Sequence, residues 1–116
     1  MKRLYLILVF LTLSFLGFSK EYKVTLLLKG ANTVIASPDG KLAINPTGST
    51  ALSRGGSGDV LAGIITALLG HKLPPLEAAA CGAWLHGATG DICAAEIGQY
   101  GMLPTDMVQV LPRLLK

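Results

Sequence analysis

The sequence is poor in several features that point directly to a function. Charged residues make up 15% of the chain and aromatic residues 6%, and the net charge of +3 is scattered. Because no basic stripe is interleaved with aromatic residues, nucleic-acid binding is not indicated. Only two cysteines are present, Cys81 and Cys93, and neither has a second cysteine or a histidine at a metal-ligand spacing. We expect two buried free thiols in preference to a disulfide or a metal site.

Common catalytic motifs are also missing from the sequence. No Ser/His/Asp or Cys/His arrangement stands in a local context for nucleophilic catalysis. The phosphate-binding loop Gly-x-x-x-x-Gly-Lys-Ser/Thr is absent as well. Phosphate chemistry would therefore need another glycine-rich turn, and the chain has one from Arg54 to Gly63.

This glycine turn runs straight into a predicted amphipathic helix from Asp59 to about Leu69. Gly55, Gly56 and Gly58 permit positive φ and allow a ligand to approach bare backbone. The first N–H groups of a helix have no internal partner, and the helix dipole adds about half a positive charge there. The turn is therefore typical of a site for phosphate or another anion.

Asp59 has two interpretations. A carboxylate at the start of a helix is commonly a cap for backbone N–H groups. A carboxylate among glycines that leave room for phosphate is also placed to take a proton from a hydroxyl that attacks this phosphate. The surrounding glycines favour the second interpretation, in which Asp59 is a general base.

The first nineteen residues differ from the rest of the chain. Lys2 and Arg3 precede a nearly unbroken apolar run from Leu4 to Phe18, which resembles a secretory signal. The run is shorter than the roughly 20 residues that span a bilayer as a helix. We therefore divide the chain into a hydrophobic leader, residues 1–19, and a folded part, residues 20–116. The leader is either signal-like or a non-native start of the reading frame.

The remaining elements predict an α/β fold with short strands, a hairpin and about three helices. The run from Val24 to Leu28 is expected to be a strand buried on both faces. The predicted elements after it are a hairpin of Thr33–Ala36 and Lys41–Ile44, a helix from Asp59 to about Leu69, an Ala-rich helix from about Leu76 to Thr89 that can continue to Ile97, and a helix from about Asp106 to Leu115 capped by Thr105.

Three further positions are candidates for ligand contact. Lys29 follows a strand, at the kind of strand end where α/β folds bind ligands. Asn45 and Thr47 lie in the loop before the glycine turn. Such residues are also common in loops simply because their side chains stabilise turns. His86, within the Ala-rich helix, is interpreted as a packed histidine and not as a catalytic group.

Three spaced motifs together resemble the NAD(P)H-hydrate dehydratases of the ribokinase-like superfamily. They are the segment Leu28–Ile35 (LKGANTVI), the loop Asn45–Gly48 (NPTG) and the turn Gly55–Gly63 (GGSGDVLAG). The resemblance is to the carboxyl-terminal half of this family. It implies a ribokinase-like fold truncated to its carboxyl-terminal part.

The resemblance also implies a reaction, the removal of water from NADH or NADPH hydrated at carbon 6, at the expense of ADP or ATP. Asp59 would be the base and, with Asn45, would contact the substrate. The amides around Gly56, Ser57 and Gly58 would form the anion hole for the phosphoryl group. Mg²⁺ is expected to assist, although the sequence shows no ligand for it. The residues that would bind the nucleotide are Lys29, Gly30, Ala31, Asn32, Thr33 and Gly58.

A truncated chain is expected to need a partner, either a second copy of itself or a separate amino-terminal half, and it could be inactive alone. The resemblance implies the cytoplasm, whereas the leader favours export. Two alternative functions stay open at this point. One is a ribokinase-like kinase of a small molecule, and the other is a non-catalytic exported remnant.

Overall fold

The computed structural model describes residues 2–116, apart from the side chains at positions 2, 4, 5, 7 and 8. The α/β class predicted from the sequence is confirmed, with three strands and four α-helices. The elements in chain order are α1 (Lys2–Tyr22), β1 (Leu26–Leu28), β2 (Val34–Ala36), β3 (Leu42–Ile44), α2 (Ser57–Gly70), α3 (Pro75–Glu96) and α4 (Pro104–Val110), with short 3₁₀ helices at Thr50–Leu52 and Leu111–Leu114.

The strands form one antiparallel sheet in the order β1-β2-β3, so the predicted hairpin is confirmed as β2 and β3. Leu27, Ile35 and Ala43 are cross-strand neighbours, and their shared face packs on Ala79 and Ala83 of α3. In the turn of the hairpin, the Ser37 hydroxyl donates to Asp39 and lowers the pKa of that carboxyl group to about 2, with help from Lys41.

The prediction that β1 is buried on both faces is wrong. Leu28 is 48% exposed, and on β3 the neighbouring side chains of Leu42 and Ile44 are 44% and 67% exposed. Only the face toward α3 is covered along its length, because α3 is the helix that packs across β2 and β3. The other face carries exposed apolar side chains.

Helix α3 lies at the centre of the fold and contacts α2, α4 and the sheet. Gly82 allows α2 to approach closely, since a Cβ atom there would stand 2.6 Å from the Cγ1 atom of Ile65. The longer of the two predicted lengths for this helix is confirmed, because α3 continues past Gly87 and Gly90. A second apolar cluster on its far side consists of Ala51, Cys93, Met102, Met107 and Val110.

The structure differs from the prediction at both ends of α4 and in the burial of one cysteine. Helix α4 is capped by Leu103, not Thr105, because the Asp106 carboxylate accepts the Leu103 N–H at 2.7 Å. It ends at Val110, before Pro112, which has no N–H to continue the helix. Both cysteines are free, but only Cys93 is buried, and burial raises the pKa of its thiol. The predicted burial of Cys81 is wrong.

Helix α1 joins the rest of the fold through its last turn. The side chain of Ser19 is fully buried, and its hydroxyl donates to the carbonyl of Val24 at 2.5 Å and that of Ala36 at 3.2 Å. Among the described residues, no helix combines the length and apolar character needed to cross a bilayer. The division into residues 1–19 and 20–116 stays a prediction.

Candidate active site

The glycine turn begins α2 with a left-handed residue. Gly56 has φ of 93° and ψ of −18°, and its carbonyl accepts the N–H groups of Asp59 at 3.1 Å and Val60 at 3.3 Å. A side chain at this position would be strained, so the glycine is required by the backbone. The predicted positive φ is confirmed at Gly56, whereas Gly55 and Gly58 lie outside the left-handed region. Helix α2 accordingly starts at Ser57, two residues before the predicted start.

Arg54 fixes the turn to the loop between α3 and α4. Its guanidinium donates to the carbonyl of Gln99 at 3.4 Å and to that of Tyr100. The Arg54 carbonyl in turn accepts the Ser57 N–H at 3.2 Å. Through Arg54, the first residue of α2 is therefore tied to the loop between α3 and α4.

The first turn of α2 carries three of the predicted site residues in different environments. Ser57 is buried, Gly58 is half-buried and Asp59 is exposed. The ammonium group of Lys29 lies against Gly58, since a Cβ atom on this glycine would stand 2.6 Å from Nζ. The structure thus places a lysine at the positive end of α2, in the helix turn that also carries the Asp59 carboxylate.

The segment after β1 makes a tight turn that presents Lys29 to this helix end. Asn32 has φ of 59°, a left-handed conformation that asparagine tolerates better than most residues. The hydroxyl of Thr33 donates to the carbonyl of Gly30 at 3.4 Å and closes the turn. Backbone groups in such a turn are accessible to a ligand.

The loop Asn45–Gly48 is held against α3 by side-chain hydrogen bonds. The Asn45 amide donates to the carbonyls of Ala83 at 3.1 Å and Thr47 at 3.3 Å, and its oxygen accepts the Thr47 N–H and hydroxyl. The Thr47 hydroxyl also lies 3.1 Å from the carbonyl of Trp84. This approach requires Gly87, because a Cβ atom there would stand 2.7 Å from the Thr47 carbonyl carbon. Asn45 therefore uses its full hydrogen-bonding capacity within the protein.

A cavity of about 540 Å³ lies between the turn after β1, this loop, α2 and α3. Most of the predicted nucleotide-binding residues line it, whereas Asn32, Gly56, Gly58 and Asp59 lie outside its wall. The predicted site residues on the wall are Lys29, Gly30, Ala31, Thr33, Asn45, Thr47 and Ser57. Asp59 stands on the exposed side of the same helix turn, next to the lysine contact at Gly58.

His86 is the site residue whose contacts the sequence did not reveal. It is 6% exposed, as a packed histidine should be, but it also lines the cavity. Its Nε2 atom lies 2.8 Å from the Ser57 carbonyl and 3.0 Å from the Ser57 hydroxyl. Burial lowers the pKa of His86, and the charge of Lys29 lowers it further, against the opposite effect of the bond to the Ser57 carbonyl. The imidazole is therefore held neutral.

The part of the chain that the structure describes contains no cluster of three His, Cys, Asp or Glu side chains that could hold a metal ion. Mg²⁺ typically keeps several water ligands and binds through one or two carboxylates together with the phosphates of a substrate. A dedicated all-protein metal site is therefore absent from the described residues, whereas an ion carried by nucleotide phosphates needs no such cluster.

Comparison with known proteins identifies the family. The family model for NAD(P)H-hydrate dehydratase matches residues 16–113, nearly the whole chain. The chain belongs to this family. The resemblance inferred from the three motifs is thereby confirmed.

Members of the family with curated names are similar over most of this chain. The bifunctional NAD(P)H-hydrate repair enzyme of Moorella thermoacetica is 52% identical over 99 residues, which cover 85% of this chain and 19% of that protein. The ADP-dependent (S)-NAD(P)H-hydrate dehydratase of Bacillus subtilis is 38% identical over 83% of this chain and 35% of its own length. The chain thus spans about a fifth to a third of the length of these relatives.

Solved structures agree on the fold. The ADP/ATP-dependent NAD(P)H-hydrate dehydratase of Bacillus subtilis, co-crystallized with ATP/Mg²⁺ and soaked with CoA, superimposes with a TM-score of 0.82 at 34% identity. The match covers 88% of this chain and 38% of that one. A ribokinase-like superfamily protein from Enterococcus faecalis gives a TM-score of 0.73 at 33% identity. The predicted ribokinase-like fold, truncated relative to the solved chains, is confirmed.

Proposed function

We propose that this chain acts in the ADP-dependent dehydration of NADH and NADPH hydrated at carbon 6, a repair of damaged cofactor. The observation that carries the proposal is the contact of Lys29 with Gly58 at the N-terminus of α2, one residue before Asp59 and beside the cavity. The names of the relatives support a dehydratase over the alternative of a small-molecule kinase. ADP is the nucleotide named for the curated dehydratases of Neisseria meningitidis and Bacillus subtilis.

The proposed chemistry is a phosphoryl transfer followed by an elimination. The Asp59 carboxylate takes the proton of the substrate hydroxyl, whose oxygen bonds to the terminal phosphorus of ADP. The bond from this phosphorus to the bridging oxygen breaks, and AMP leaves. The carbon–oxygen bond of the phosphorylated ring then breaks, phosphate departs, and the neighbouring ring carbon loses a proton. The reduced nicotinamide is restored.

The N-terminus of α2 would stabilise the charge of the transferred group. In phosphoryl transfer, catalysis rests mainly on positioning and on fixed positive partial charge. We assign this role to the backbone N–H groups around Gly56, Ser57 and Gly58. The Ser57 N–H already donates to Arg54, so the Gly58 N–H is the principal donor in our assignment. The Lys29 ammonium adds a full charge at the same point.

Nucleotide binding is assigned to the turn Lys29–Thr33 and Gly58. All hydrogen bonds of the Asn45 amide are made within the protein. We therefore propose that Asn45 contributes to substrate binding indirectly, by holding the shape of the loop Asn45–Gly48. The described residues offer no cluster of three metal-ligating side chains, and no step above depends on Mg²⁺. An ion that arrives bound to the nucleotide phosphates is consistent with this arrangement. We propose the cytoplasm as the compartment, since both substrates are found there.

The test measures recovery of reduced-nicotinamide absorbance from hydrated NADPH by the full chain, with ADP and with ATP. Asp59→Asn should lower the rate by about 10²- to 10⁴-fold, the usual contribution of a general base. Asp39→Asn is the matched control, because Asp39 is an exposed carboxylate in the hairpin turn, away from this cavity. It should leave the rate unchanged.

Three results would overturn parts of the proposal. A folded chain that recovers no absorbance with either nucleotide would exclude the dehydratase activity. An unchanged rate in Asp59→Asn would exclude Asp59 as the base. Accumulation of a stable phosphorylated product would indicate a kinase.

A further inference from the structure

His86 stands at the middle of α3 and meets the first residue of α2 inside the protein. The two residues are 29 positions apart in sequence, and both are buried. The close approach of the helices at Gly82 and Ile65 brings them within hydrogen-bond distance. The imidazole therefore lines the cavity from a buried position on α3 and lies outside the exposed glycine turn.

The hydrogen bonds at Ser57 fix the position of the imidazole proton. The Ser57 carbonyl, 2.8 Å from Nε2, can only accept a hydrogen bond, so Nε2 carries the proton and donates to it. The Ser57 hydroxyl, 3.0 Å away, lies close enough to share this donor. His86 is neutral in this state, because burial and the nearby Lys29 both oppose a second proton.

The bond to this carbonyl also sets the direction of the next N–H group. The Ser57 carbonyl and the Gly58 N–H belong to one planar trans peptide, so they point in opposite directions. Because the bond from His86 holds the Ser57 carbonyl toward α3, the Gly58 N–H points away from α3. A rotation of this peptide would remove the donor from the position that an anion occupies.

We propose that His86 is a positioning residue that holds the Ser57–Gly58 peptide so that the Gly58 N–H faces the transferred phosphoryl group. The inference rests on the proposed function for its phosphoryl group, but the aim of the peptide is a property of the chain alone. His86 touches neither substrate nor nucleotide in this role. It acts through the backbone of Ser57.

The test compares two replacements of His86. His86→Gln retains an N–H donor that can reach the Ser57 carbonyl, and His86→Leu removes the donor while it keeps the site filled. Loss of one such donor in an anion hole lowers kcat by about 10²- to 10³-fold. We therefore expect kcat of His86→Leu to fall by about 10- to 10³-fold with KM for hydrated NADPH nearly unchanged, and kcat of His86→Gln to stay within about tenfold of the original. His71→Leu, at the exposed far end of α2, is the control.

Nitrogen NMR of the imidazole and of the Gly58 amide separates this inference from the proposed function. We expect the proton of His86 on Nε2, and a shift of the Gly58 amide on addition of ADP that is lost in His86→Leu and restored in His86→Gln. The tautomer is measured on the unaltered chain. It can therefore be read even if the chain has no dehydratase activity or the leucine variant fails to fold. A proton on Nδ1, or a folded leucine variant with unchanged kcat and ADP-induced shift, would overturn the proposal.

Discussion

The ammonium group of Lys29 lies directly over Gly58, where even a methyl group on the glycine would stand 2.6 Å from Nζ. The lysine follows β1, and the glycine is the second residue of α2. A full positive charge and the partial positive charge of a helix N-terminus repel each other unless an anion lies between them. The contact therefore marks the place where we expect phosphate to bind.

Gly58→Ala should weaken ADP binding without unfolding the chain. The atom that the new methyl group meets is the far end of a flexible side chain, so the lysine can move aside and leave its position over the helix end. We expect the Kd for ADP to rise about tenfold, or about 1.4 kcal/mol. Lys29→Met should raise the Kd for ADP by a similar factor, because it removes the charge that Gly58→Ala displaces.

A double-mutant cycle measured by titration calorimetry checks this prediction. If both substitutions disable one contact, their combined effect on the free energy of ADP binding should differ from the sum of the single effects by at least about 0.5 kcal/mol. Lys72→Met, an exposed lysine beyond the other end of α2, is the control. Fully additive effects would show that the lysine and the glycine act independently.

Two glycines in helices should respond to alanine in opposite ways. At Gly87 the added Cβ atom would stand 2.7 Å from the backbone of Thr47, whereas nothing lies within 4 Å of the corresponding position at Gly63. We expect Gly87→Ala to lower the free energy of unfolding by about 1–3 kcal/mol, as overpacking does. Gly63→Ala should raise it by about 0.5–1 kcal/mol, since alanine favours helix. Urea unfolding of both variants tests the pair, and stabilisation by Gly87→Ala would contradict the described packing of the loop.

Stability should fall as the pH is lowered through the range of histidine titration. The pKa of His86 is lowered in the folded chain, mainly by burial and also by Lys29, the charged group that faces it. Below about pH 6.5 the unfolded chain therefore binds a proton that the folded chain does not, and this difference favours unfolding. Above that pH the penalty is absent.

Unfolding free energies measured between about pH 7.5 and 5 would test this, above the range in which ordinary carboxylates titrate. The decrease in stability toward pH 5 should be smaller in His86→Gln, which has no proton to gain. His71→Gln, at an exposed histidine beyond the end of α2, is the control variant. An identical slope in the original chain and in His86→Gln would argue against a neutral buried imidazole.

The chain should self-associate in solution. β1 and β3 are the edge strands of the sheet, and Leu42 and Ile44 on β3 are 44% and 67% exposed. Such edges pair readily with other chains unless charged residues interrupt them. We expect light scattering to show a mass above the 12.1 kDa of one chain.

Leu42→Lys should shift this mass toward that of a monomer. Val108→Lys, at a residue of α4 that is 53% exposed, should not. A single monomeric species in the original chain would refute the expectation, and it would also remove the support for a second copy as the partner that completes the site.

The sequence predicted well those features that depend on neighbouring residues. The hairpin turn at Ser37–Gly40 and the left-handed Gly56 follow from local backbone preferences, and both are present. The start of α4 shows the limit of this approach. The carboxylate of Asp106 reaches back to Leu103 and sets the helix start, although Thr105 is the better capping residue by type.

Contacts between distant segments could not be read from the sequence. The bonds from His86 to Ser57 and from Asn45 to Ala83 join residues 29 and 38 positions apart. They depend on how α3 packs, and no local pattern encodes this packing. The exposure of Leu28 was missed for a related reason, since an apolar run shows that a strand can be buried but not which of its faces is covered.

Helix α3 holds both sides of the cavity. It binds the glycine turn through His86, and it binds the loop Asn45–Gly48 through the carbonyls of Ala83 and Trp84 and the carboxylate of Asp91. The cavity consequently exists only while α3 is docked, and every ligand that fills it must bind the docked state. Ligand binding and the docking of α3 are thus coupled, and a ligand in the cavity lowers the population of the undocked helix.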